Sequence, residues 1–563
     1  MKYMCDFETT SGDEWLMRDG YARVWAFCCC SIAENPCITK MGNNLDDFMK
    51  WMLRGAKTIY FHNLAYDGEY IISWLFNHKE YKYVEDTRDM KDNEFGCLIS
   101  DMGLFYMIDI KLSKNKHIKI YDSLKIIPLS VKEIAKAWNL EISKGEIDYT
   151  LYRPIGWKLT DQEKDYIKRD VKIVAYALYD FLHQGYEKMT IGANALDSYQ
   201  KMLGRKNAFD NLFPQLPLKV DNDIRLSYKG GFVYLNPRYA NQRLQGISFD
   251  VNSLYPFEMY DKVLPFGLPI YYSGKYEYNK KYPLYIQKLS CYFQLKEGYL
   301  PTIQLKHNPS FGQTEYITDS RGCVELILTN VDLELFFEHY DVYDVEWQGG
   351  YKFKGVKGLF KNYIDYYMEM KMNNVGGKRQ IAKLFLNSLY GKFATNPIKV
   401  SKKLKFENGI VIKMNDEGVE GKTKYTAMAS FITSYARSDT IRSAQKNYDR
   451  FIYADTDSIS LVGYDIPTNI NIDDKKLGYW KNEGIFTDSI FLKPKTYLKQ
   501  KEDGLHVTCC GMPQAIKDHV TFDNFKYGVT FDGKLAHFIT KGGCILRNTT
   551  FSIKLPIKEK EKE

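Results

Sequence analysis

The sequence predicts an α/β domain followed by an α+β region. About the first 190 of the 563 residues alternate short β-branched runs with amphipathic stretches of 3.6-residue period. After residue 190, strand-like segments rich in Tyr, Gly and Pro (228–330) precede helical stretches (331–340 and 359–390), and more strands follow from 395. A chain of this length exceeds one ordinary domain several-fold, so we expect two or more domains.

The first 190 residues can be assigned segment by segment. Five segments have the β-branched and aromatic content of strands: YMCDFET (3–9), VWAFCCCSIA (24–33), TIYFHNL (58–64), MIDIKL (107–112) and IKIYDSL (118–124). Three have helical periodicity: LDDFMKWMLRG (45–55), GEYIISWLF (68–76) and DQEKDYIKRDVKIVAYALYDFL (161–182). Strands that alternate with helices in this way are typical of an α/β domain.

Composition narrows the class of protein. The chain is 45% hydrophobic and 26% charged, as in ordinary globular proteins. Aromatic residues make up 15%, and most of them fit a packed core, although tyrosine can also stack on nucleic-acid bases. The formal net charge of +8 gives weak support for a polyanionic partner.

The sequence also indicates where the protein works. The N-terminus MKYMCDFETT turns acidic before an apolar core can form, and no run of about 18 apolar residues follows, so we expect neither secretion nor a membrane span. Eleven cysteines without a C-x-x-C spacing argue against zinc ribbons and thioredoxin chemistry. An odd number of cysteines in a large chain fits reduced thiols in a cytosolic compartment.

Carboxylates recur in the first domain at positions suited to metal binding. Asp6 and Glu8 share a face of the first strand, and Asp67 follows a later strand where a helix begins. Tyr166 and Asp170 are four apart on the long helix. Any one acidic residue is more often a helix cap or a solvated group, but the set is more specific. Carboxylates suit Mg²⁺ or Mn²⁺, and two such ions about 4 Å apart activate water for phosphodiester hydrolysis.

A second carboxylate set comes from two distant segments. SFDVNSLYP (248–256) places Asp250 on a strand before Tyr255, and Pro256 is expected to favour an extended Tyr255. FIYADTDSISL (451–461) holds Asp455 and Asp457 between strand-like flanks. If both lie on one strand, they share a face roughly 7 Å apart and repel by about 2 kcal/mol at a dielectric near 20. A cation would relieve this repulsion.

Between these segments, YYMEMKMNNVGGKRQIAKLFLNSLYGK (366–392) predicts two helices joined by a turn at the Asn and Gly pairs. On the second helix one polar stripe contains Arg379, Lys383, Asn387 and Tyr390. Most charged stripes are solvated faces. This one, however, extends into the apolar LFLNSLYG, so it could bind a triphosphate at its basic end and pack base and sugar at its aromatic end.

The first carboxylate set resembles that of the DEDD-type 3′–5′ exonucleases that proofread for DNA polymerases. The resemblance implies an RNase H-like fold in which Asp6, Glu8, Asp67 and Asp170 hold two metal ions and Tyr166 orients the attacking water. It also implies that six residues contact the frayed 3′ end of DNA or support catalysis: His62, Asn63, Tyr66, Ser123, Leu124 and Lys144. A core or surface role is the alternative for these, and Tyr66 stands where relatives carry phenylalanine.

The later segments resemble family B DNA polymerases. DVNSLYP, KLFLNSLYG and YADTDS are similar to motifs A, B and C of that family, KTY (495–497) to its Lys-x-Tyr motif, and YKGG (228–231) to its Tyr-x-Gly-Gly segment. The resemblance covers essentially the whole chain, with the motifs in the family's order. It implies a right-hand polymerase domain of palm, fingers and thumb with two insertions.

The same resemblance implies residue roles. Asp250 and Asp457 would bind metal with the Val251 carbonyl, while Asp455 supports them. Lys371, Arg379 and Lys383 would bind the incoming triphosphate, with Arg379 standing where close relatives show lysine. Tyr255 would exclude a ribose 2′-OH, and Tyr390, on the stripe with Asn387, would pack on the nascent base pair. Lys495 and Tyr497 would serve the primer terminus, and Tyr228, Gly230 and Gly231 would guide the template.

The spacing of the motifs resembles the protein-primed branch of the family, the terminal-protein-primed replicases of small Bacillus phages. About a hundred residues separate SLYP from YMEMKMNN, and about sixty separate NSLYG from YADTDS. The alternative is ordinary decoration of the family. The stretch after KTYLKQKEDG is shorter than in relatives. The implied division is 1–190 exonuclease, 191–260 palm, 261–358 insertion one (terminal-protein contact), 359–393 fingers, 394–427 insertion two (strand displacement and processivity), 428–530 palm and 531–563 thumb.

The predicted function is therefore a protein-primed, template-directed DNA polymerase that replicates a linear phage genome, with a 3′–5′ proofreading exonuclease. The expected cofactor is Mg²⁺, with Mn²⁺ able to substitute, at two ions per active site. Expected partners are primer–template DNA, dNTPs and a terminal protein, and we expect a monomer in the cytoplasm of an infected bacterial host. Two alternatives are a nuclease with a non-catalytic DNA clamp and a non-catalytic DNA-binding or packaging protein.

Overall fold

An eight-stranded mixed sheet organises the N-terminal third of the protein. The computed structural model describes residues 1–205, 207–305, 310, 312 and 314–555. The strands are β1 (Lys2–Thr9), β2 (Val24–Ser31), β3 (Ile38–Gly42), β4 (Lys57–Phe61), β5 (Lys82–Tyr83), β6 (Glu94–Ile99), β7 (Phe105–Ser113) and β8 (Lys116–Asp122). Their order is β3-β2-β1-β4-β8-β7-β6-β5, and β4 runs parallel to both β1 and β8. All five predicted strands are confirmed.

Five helices belong to this part of the described chain. They are α1 (Asp13–Asp19), α2 (Leu45–Met52), α3 (Leu64–Asn77), α4 (Val131–Ala137) and α5 (Asp161–His183), with a 3₁₀ turn at Ser123–Lys125. The three predicted helices are confirmed as α2, α3 and α5, whereas α1 and α4 were not predicted. The N-cap of α5 is Thr160, which forms a capping box with Glu163. Ile167, Val171 and Val174 of α5 are fully buried, so this helix fixes Tyr166 and Asp170 rigidly beside β1.

A short helical segment leads into the second part of the chain, and a sheet of four long strands follows. The connecting elements are α6 (Ile191–Met202), α7 (Ala208–Leu212), α8 (Leu218–Arg225), β9 (Val233–Leu235), the 3₁₀ turn Pro237–Tyr239, β10 (Gly246–Val251) and α9 (Leu254–Asp261). The predicted insertion one consists of β11 (Val263–Tyr272), β12 (Leu284–Leu295), β13 (Val324–Thr329), α10 (Asn330–His339) and β14 (Tyr340–Lys357). Its strand order is β11-β14-β12-β13.

The predicted fingers are two helices joined by a short turn, as expected: α11 (Lys361–Asn373) and α12 (Gly376–Ser388), followed by a 3₁₀ turn at Tyr390–Lys392. Insertion two then contributes two small hairpins made of β15 (Ile398–Lys399), β16 (Lys402–Glu407), β17 (Ile410–Asn415) and β18 (Val419–Glu420). β15 pairs with β18 and β16 with β17.

The remaining elements complete the palm and build the C-terminal hairpin. They are α13 (Thr426–Gln445), the 3₁₀ turn Tyr448–Arg450, β19 (Phe451–Asp455), β20 (Ser458–Val462), β21 (Trp480–Phe486), β22 (Asp488–Lys493), β23 (Thr496–Lys501), β24 (Gly504–Cys509), α14 (Gln514–Lys517), β25 (Thr530–Thr540) and β26 (Gly543–Ser552). The palm sheet has the order β21-β10-β20-β19-β9, whereas β22, β23 and β24 form a separate sheet. The charged chain end, 556–563, lies outside the described residues.

Insertion two and the C-terminal hairpin both pack on the domain of the eight-stranded sheet, the predicted exonuclease domain. Leu404 and Val411 of insertion two and Cys544 and Ile545 of the C-terminal hairpin are buried in the same hydrophobic cluster as that sheet. The Tyr70 hydroxyl donates to the Cys544 carbonyl. These contacts close a loop of chain that runs from this domain through insertion two and the hairpin back to the same domain.

Two further expectations from composition can be compared with the structure. All eleven cysteines lie in the described part of the chain, and each is a free thiol. Within the described ranges, no helix combines the length and the apolar character that a bilayer crossing requires.

Candidate active sites

The palm sheet brings together carboxylates that are about two hundred residues apart in sequence. Asp250 is the next-to-last residue of β10 and is the register partner of Ser458, the first residue of β20. Asp457 lies in the turn before β20, and its carbonyl accepts a 2.7 Å hydrogen bond from Val251 N. Both carboxylates line a pocket of about 660 Å³, together with Val251. Motifs A and C therefore face one cavity.

The turn between β19 and β20 decides how the two aspartates are placed. They would be same-face neighbours if both lay on one strand, but the segment is a hairpin, because Thr456 has φ 60° and reverses the chain. A β-branched residue at positive φ is unfavourable, so the turn must be held from outside. Thr456 N donates to the Phe232 carbonyl, and Thr440 Oγ1 donates to the Thr456 carbonyl, each over 2.7 Å.

Because of this turn, Asp455 and Asp457 have different neighbours. Asp457 points to the pocket, whereas Asp455 accepts hydrogen bonds of 2.8 and 2.9 Å from Lys495 Nζ. Lys495 N in turn donates to the Tyr453 hydroxyl over 2.9 Å, and the Tyr497 ring lies 5.2 Å from that of Tyr453. The KTY segment is thus attached to the hairpin through Asp455, so Asp455 already has a cationic partner.

Burial and mutual repulsion perturb the pocket carboxylates. Burial, followed by the charges of Asp457 and Glu483, raises the pKa of Asp250 to about 7, while Lys481 and Lys383 oppose this shift. Burial also raises the pKa of Asp457. Two carboxyl groups that resist ionisation in one cavity form a site that a divalent cation would stabilise.

The opposite wall of the pocket is basic. Lys371, Arg379 and Lys383 line it, along with Asn387 and Gln380. Arg379 Nη1 donates to the Lys371 carbonyl over 2.9 Å, and Lys371 Nζ donates to Ser253 Oγ over 3.2 Å. Burial and the two neighbouring cations lower the pKa of Lys371. A triphosphate carries the negative charge that complements this wall.

An aromatic pair forms the floor of the pocket. The rings of Tyr255 and Tyr390 are stacked, with centroids 4.1 Å apart and an interplanar angle of 26°. Tyr255 lies in the first turn of α9, so the expected extended conformation is wrong. Pro256 is tolerated there because first-turn N–H groups have no intrahelical partner. Tyr390 follows α12 in a 3₁₀ turn rather than continuing its stripe.

The YKGG loop packs directly on the catalytic turn. A Cβ added to Gly231 would lie 2.6 Å from Thr456 Oγ1, so this position requires glycine. Arg437 Nη1 donates to the carbonyls of Lys229 and Gly230, each over 2.7 Å, and the same guanidinium pairs with Asp332 over 2.6 Å. Arg437 was not identified from the sequence, because the residue pattern of α13 is that of an ordinary buried helix and does not single out this arginine. Tyr228 lines a neighbouring cavity with Lys229.

Lys481 and Glu483 are two further pocket residues that sequence reasoning missed. Both belong to β21, where Lys481 is the register partner of Asp250. Their Nζ and Oε1 atoms are 2.5 Å apart. The only sequence signal is the alternation in WKNEGIF, which does not reveal that β21 pairs with β10.

In the exonuclease domain the second carboxylate set also converges. Asp6 and Glu8 lie on one face of β1, Asp67 is in the first turn of α3, and Asp170 is on α5. Burial and then the charge of Asp170 raise the pKa of Asp6 to about 7, and burial is likewise the main cause that raises the pKa of Glu8, Asp67 and Asp170. The four groups therefore share one buried acidic site.

Two residues modulate this acidic site. Lys144 Nζ lies 3.4 Å from Asp170 Oδ2, and its charge lowers the pKa of Asp6 and Asp170. The Tyr166 hydroxyl is 2.8 Å from the Tyr149 hydroxyl. Tyr149 was missed because its surroundings in DYT carry no motif. Tyr166, as expected, sits on the same helix as Asp170.

The residues predicted to support the 3′ end form a connected group around Asp122. His62 Nδ1 is 3.0 Å from Ser123 Oγ, and Asp122 Oδ1 accepts from Asn63 N and Leu124 N, each over 3.0 Å. Asp122 was not predicted, although YDSLK has the form of a helix cap. Tyr66 lies apart from this group, with its hydroxyl 2.6 Å from Thr9 Oγ1 and its ring 5.7 Å from that of His537.

Both acidic sites fit hard cations in donor chemistry. In the exonuclease site, Asp67 Oδ1 and Asp170 Oδ1 are buried without a hydrogen-bond partner. An unpartnered buried carboxylate oxygen is costly, and coordination of Mg²⁺ or Mn²⁺ would satisfy it. In the described residues as they stand, no group of three or more His, Cys, Asp or Glu side chains is arranged to hold a metal. Binding would thus draw the carboxylates inward or recruit oxygens from the substrate.

Comparisons with known proteins agree on one family. The family model for "DNA polymerase type B, organellar and viral" matches residues 49–155 and 147–475. The DNA polymerase of Bacillus phage phi29 is 44% identical, covering 98% of this chain and 99% of its own, and that of Streptococcus phage Cp-1 is 34% identical, covering 98% of each. The structure of phi29 DNA polymerase with primer–template DNA and incoming nucleotides superposes with TM-score 0.92 at 42% identity, covering 98% of this chain and 100% of that one.

Proposed function

This chain belongs to the type B DNA polymerases of viruses, in the phi29-like group, and from that we propose that it initiates on a terminal protein, copies DNA processively and proofreads its own product. Its fold, with an exonuclease domain and a palm, fingers and thumb, is that of the family. The observation that supports the polymerase chemistry most strongly is the 660 Å³ pocket that unites two carboxylates, three cations and a stacked tyrosine pair.

In polymerisation, the two walls of this pocket act on opposite charges. Lys371, Arg379 and Lys383 bind and orient the triphosphate, which becomes more negative as pyrophosphate leaves. Asp250 and Asp457, with the Val251 carbonyl, would hold two Mg²⁺ ions, which would supply charge stabilisation for the attacking hydroxyl and the leaving oxygen. Lys495, held by Asp455, positions the primer terminus beside them.

Nucleotide selection follows from the aromatic floor. Tyr255 lies against Tyr390 at 4.1 Å, and neither ring can move aside without losing this stacking. A deoxyribose packs on the Tyr255 ring, whereas a ribose 2′-OH would clash with it. Tyr390 and Asn387 contact the base pair being formed. The enzyme therefore uses dNTPs.

In the exonuclease site, the four carboxylates would hold two metal ions, which would activate water for phosphodiester hydrolysis. Tyr166, oriented by Tyr149, positions the attacking water, and Lys144 limits the repulsion among the carboxylates. His62, Asn63, Ser123 and Leu124, fixed through Asp122, hold the last nucleotides of a frayed 3′ end, and Tyr66 stacks on a base.

Processivity and strand displacement are assigned to the closed loop of chain. The Phe76 and Phe406 rings are stacked at 5.1 Å, so the exonuclease domain packs on insertion two. Asp13 accepts from Arg547 over 2.9 Å, which ties the exonuclease domain to the C-terminal hairpin. A closed protein ring retains the product duplex, and a narrow ring would admit one template strand and exclude its complement.

Protein priming is assigned to insertion one. Insertion one exposes tyrosines, among them Tyr271 on β11, Tyr278 in the loop between β11 and β12, and Tyr343 on β14. Asp332 at the start of α10 pairs with Arg437, which holds the YKGG carbonyls. A partner bound to insertion one would therefore act on the template path. Because its relatives are phage enzymes, we place this activity in an infected bacterium, with the enzyme acting as a monomer.

One experiment separates the two chemistries. Purified protein receives primer–template DNA, Mg²⁺ and dNTPs, alongside Asp457→Ala, Asp6→Ala/Glu8→Ala and the control Asp503→Ala, a carboxylate that faces solvent and pairs with His506. We expect Asp457→Ala to degrade the primer without extending it and the double variant to extend without degrading. The control keeps both activities. Protein that digests but never extends would establish the nuclease alternative instead.

A second experiment tests priming. A candidate terminal protein and labelled dATP are incubated with the enzyme and Mg²⁺ in the absence of any oligonucleotide. We expect label to become covalently attached to the terminal protein, and Asp457→Ala to abolish this attachment. Normal extension of DNA primers with no labelled protein would contradict protein priming and leave the polymerase assignment intact.

A further inference from the structure

A buried lysine with no carboxylate partner lies beside the catalytic strands of the palm. Lys499 of β23 is only 8% exposed. Its Nζ donates to Ser248 Oγ and Ser460 Oγ, each over 2.9 Å. The charged group that acts on it is Lys501, two residues along the same strand, and no carboxylate within the described ranges forms an ion pair with it.

The two serines connect Lys499 to the strands that present the pocket carboxylates. Ser248 and Ser460 are register partners in β10 and β20, and their hydroxyl oxygens are 3.4 Å apart. Ser248 precedes Asp250 by two residues, so both side chains lie on one face of the sheet. Lys499 therefore contacts both catalytic strands at one rung, on the face that carries Asp250.

On its own strand, Lys499 follows the KTY segment closely. Tyr497 and Lys499 are two residues apart on β23, so they point to the same side, whereas Lys495 lies in the turn before β23 at φ 58°. Lys495 reaches Asp455, Tyr497 packs on Tyr453, and Lys499 reaches the two serines. These three side chains dock β23, which belongs to a separate sheet, onto the palm sheet.

The surroundings of the amino group are mostly apolar. Its nitrogen lies 5.3 Å from the Phe486 ring centroid, 5.5 Å from that of Phe491 and 5.1 Å from that of Tyr497. Burial lowers the pKa of Lys499 to about 7. An apolar side chain would fill this space without desolvating an amine. What the lysine adds is its pair of hydrogen bonds across the two catalytic strands.

We propose that Lys499 is a positioning residue for DNA synthesis: it fixes the primer-side strand β23 against β10 and β20, so that Lys495 stays in register with Asp250 and Asp457. This inference rests on the polymerase roles proposed for those three residues. Its effect is confined to the palm, because the serines and Lys499 touch neither the basic wall of the nucleotide pocket nor the exonuclease domain.

The test compares Lys499→Met, which keeps chain length but has no donor, with Lys501→Met as the matched control. Among the described residues, the hydrogen bond of Lys501 Nζ is to the Glu483 carbonyl, at the end of β23. We measure kcat and KM for a dNTP on primer–template DNA, and exonuclease rate on single-stranded DNA. For Lys499→Met, kcat should fall roughly 10- to 100-fold, while KM and exonuclease rate stay within about twofold of wild type. Lys499→Gln, which retains two donors, should recover part of kcat.

Two results with Lys499→Met would overturn the proposal. One is a kcat for Lys499→Met equal to that of Lys501→Met, and the other is a parallel loss of exonuclease rate, which would assign the lysine to folding alone. If Lys499→Met does not fold, Ser248→Ala/Ser460→Ala removes the same hydrogen bonds and keeps the aliphatic stem. An unchanged kcat in that double variant would also overturn it. Absence of extension by the wild type would count against the polymerase assignment instead.

Discussion

The ion pair between Glu69 and Lys413 offers the sharpest test of the closed ring. Glu69 is on α3, with its side chain 1% exposed, and Lys413 is on β17, with its side chain 14% exposed. Lys413 also lies over the Phe105 ring at 4.6 Å. Replacing Lys413 with methionine keeps most of its aliphatic packing and leaves the Glu69 carboxyl buried without its cation.

The cost of this change depends on the protonation of Glu69. An ionised, unpaired carboxylate at this depth would cost about 3–5 kcal/mol. However, burial raises the pKa of Glu69 even beside Lys413, which opposes the shift. Without Lys413 the carboxyl is more readily protonated, and the penalty falls toward the roughly 1–3 kcal/mol of an unsatisfied polar group. That free energy corresponds to a change of about 5- to 150-fold in the closed-to-open equilibrium.

The assay follows product length after a single binding event, with excess heparin or unlabelled primer–template as a trap. We expect Lys413→Met to make shorter products while adding the first nucleotide at the wild-type rate. Glu69→Leu/Lys413→Met should recover much of the length, because neither a buried charge nor an unsatisfied buried polar group remains. Trapped product lengths equal to wild type, or equal losses in first insertion and length, would refute a ring held by this pair.

Three further predictions use other parts of the molecule. Gly231→Ala should abolish extension and spare exonuclease activity, because its Cβ would meet Thr456 Oγ1 at 2.6 Å and displace the catalytic turn; normal extension would show that the loop can move. In EDTA, Tm should fall as pH rises from about 4 to 7 and should recover with Mg²⁺. The reason is that Asp6 and Asp250 have a pKa of about 7 in the folded state and 3.8 in the unfolded state, so the folded protein binds more protons. Asp6→Asn should weaken this trend, and a trend unchanged by the substitution would contradict the assignment. For Lys499 the pH dependence of stability has the opposite sign, because its pKa is about 7 in the folded state and 10.5 in the unfolded state. In denaturant titrations the wild type should therefore gain stability over Lys499→Met as pH rises from about 7 to 10. A difference in unfolding free energy that stays constant with pH would mean that the amine is not desolvated.

Local patterns in the sequence predicted the exonuclease sheet and the fingers. The β-branched and aromatic content of β1 and the period of α5 are short-range signals, and the Asn373-Asn374 and Gly376-Gly377 pairs mark the end of one helix and the start of the next. These features depend on residues within about ten positions of one another, so the chain itself encodes them.

Features that depend on distant packing were not predictable. The left-handed backbone conformation of Thr456 is stabilised by hydrogen bonds to Phe232 and Thr440. Arg437 donates to a loop more than two hundred residues away in sequence. Asp122 resembles an ordinary cap until the fold brings Asn63 against it. Lys499 resembles a surface lysine in KTYLKQKED, and only the pairing of β10 with β20 places two serines beneath it. In each case the partner is set by tertiary structure.

The central claim is that one molecule both adds and removes the same nucleotide at a primer end. The most direct measurement supplies unlabelled primer–template DNA with only the next correct dNTP, which carries the label, and follows free labelled dNMP over time. Repeated insertion and excision should release labelled dNMP steadily from the wild type, whereas Asp457→Ala, which cannot insert, and Asp6→Ala/Glu8→Ala, which cannot excise, should release none. Steady release of labelled dNMP by either variant, or none by a wild type that extends DNA, would contradict the account.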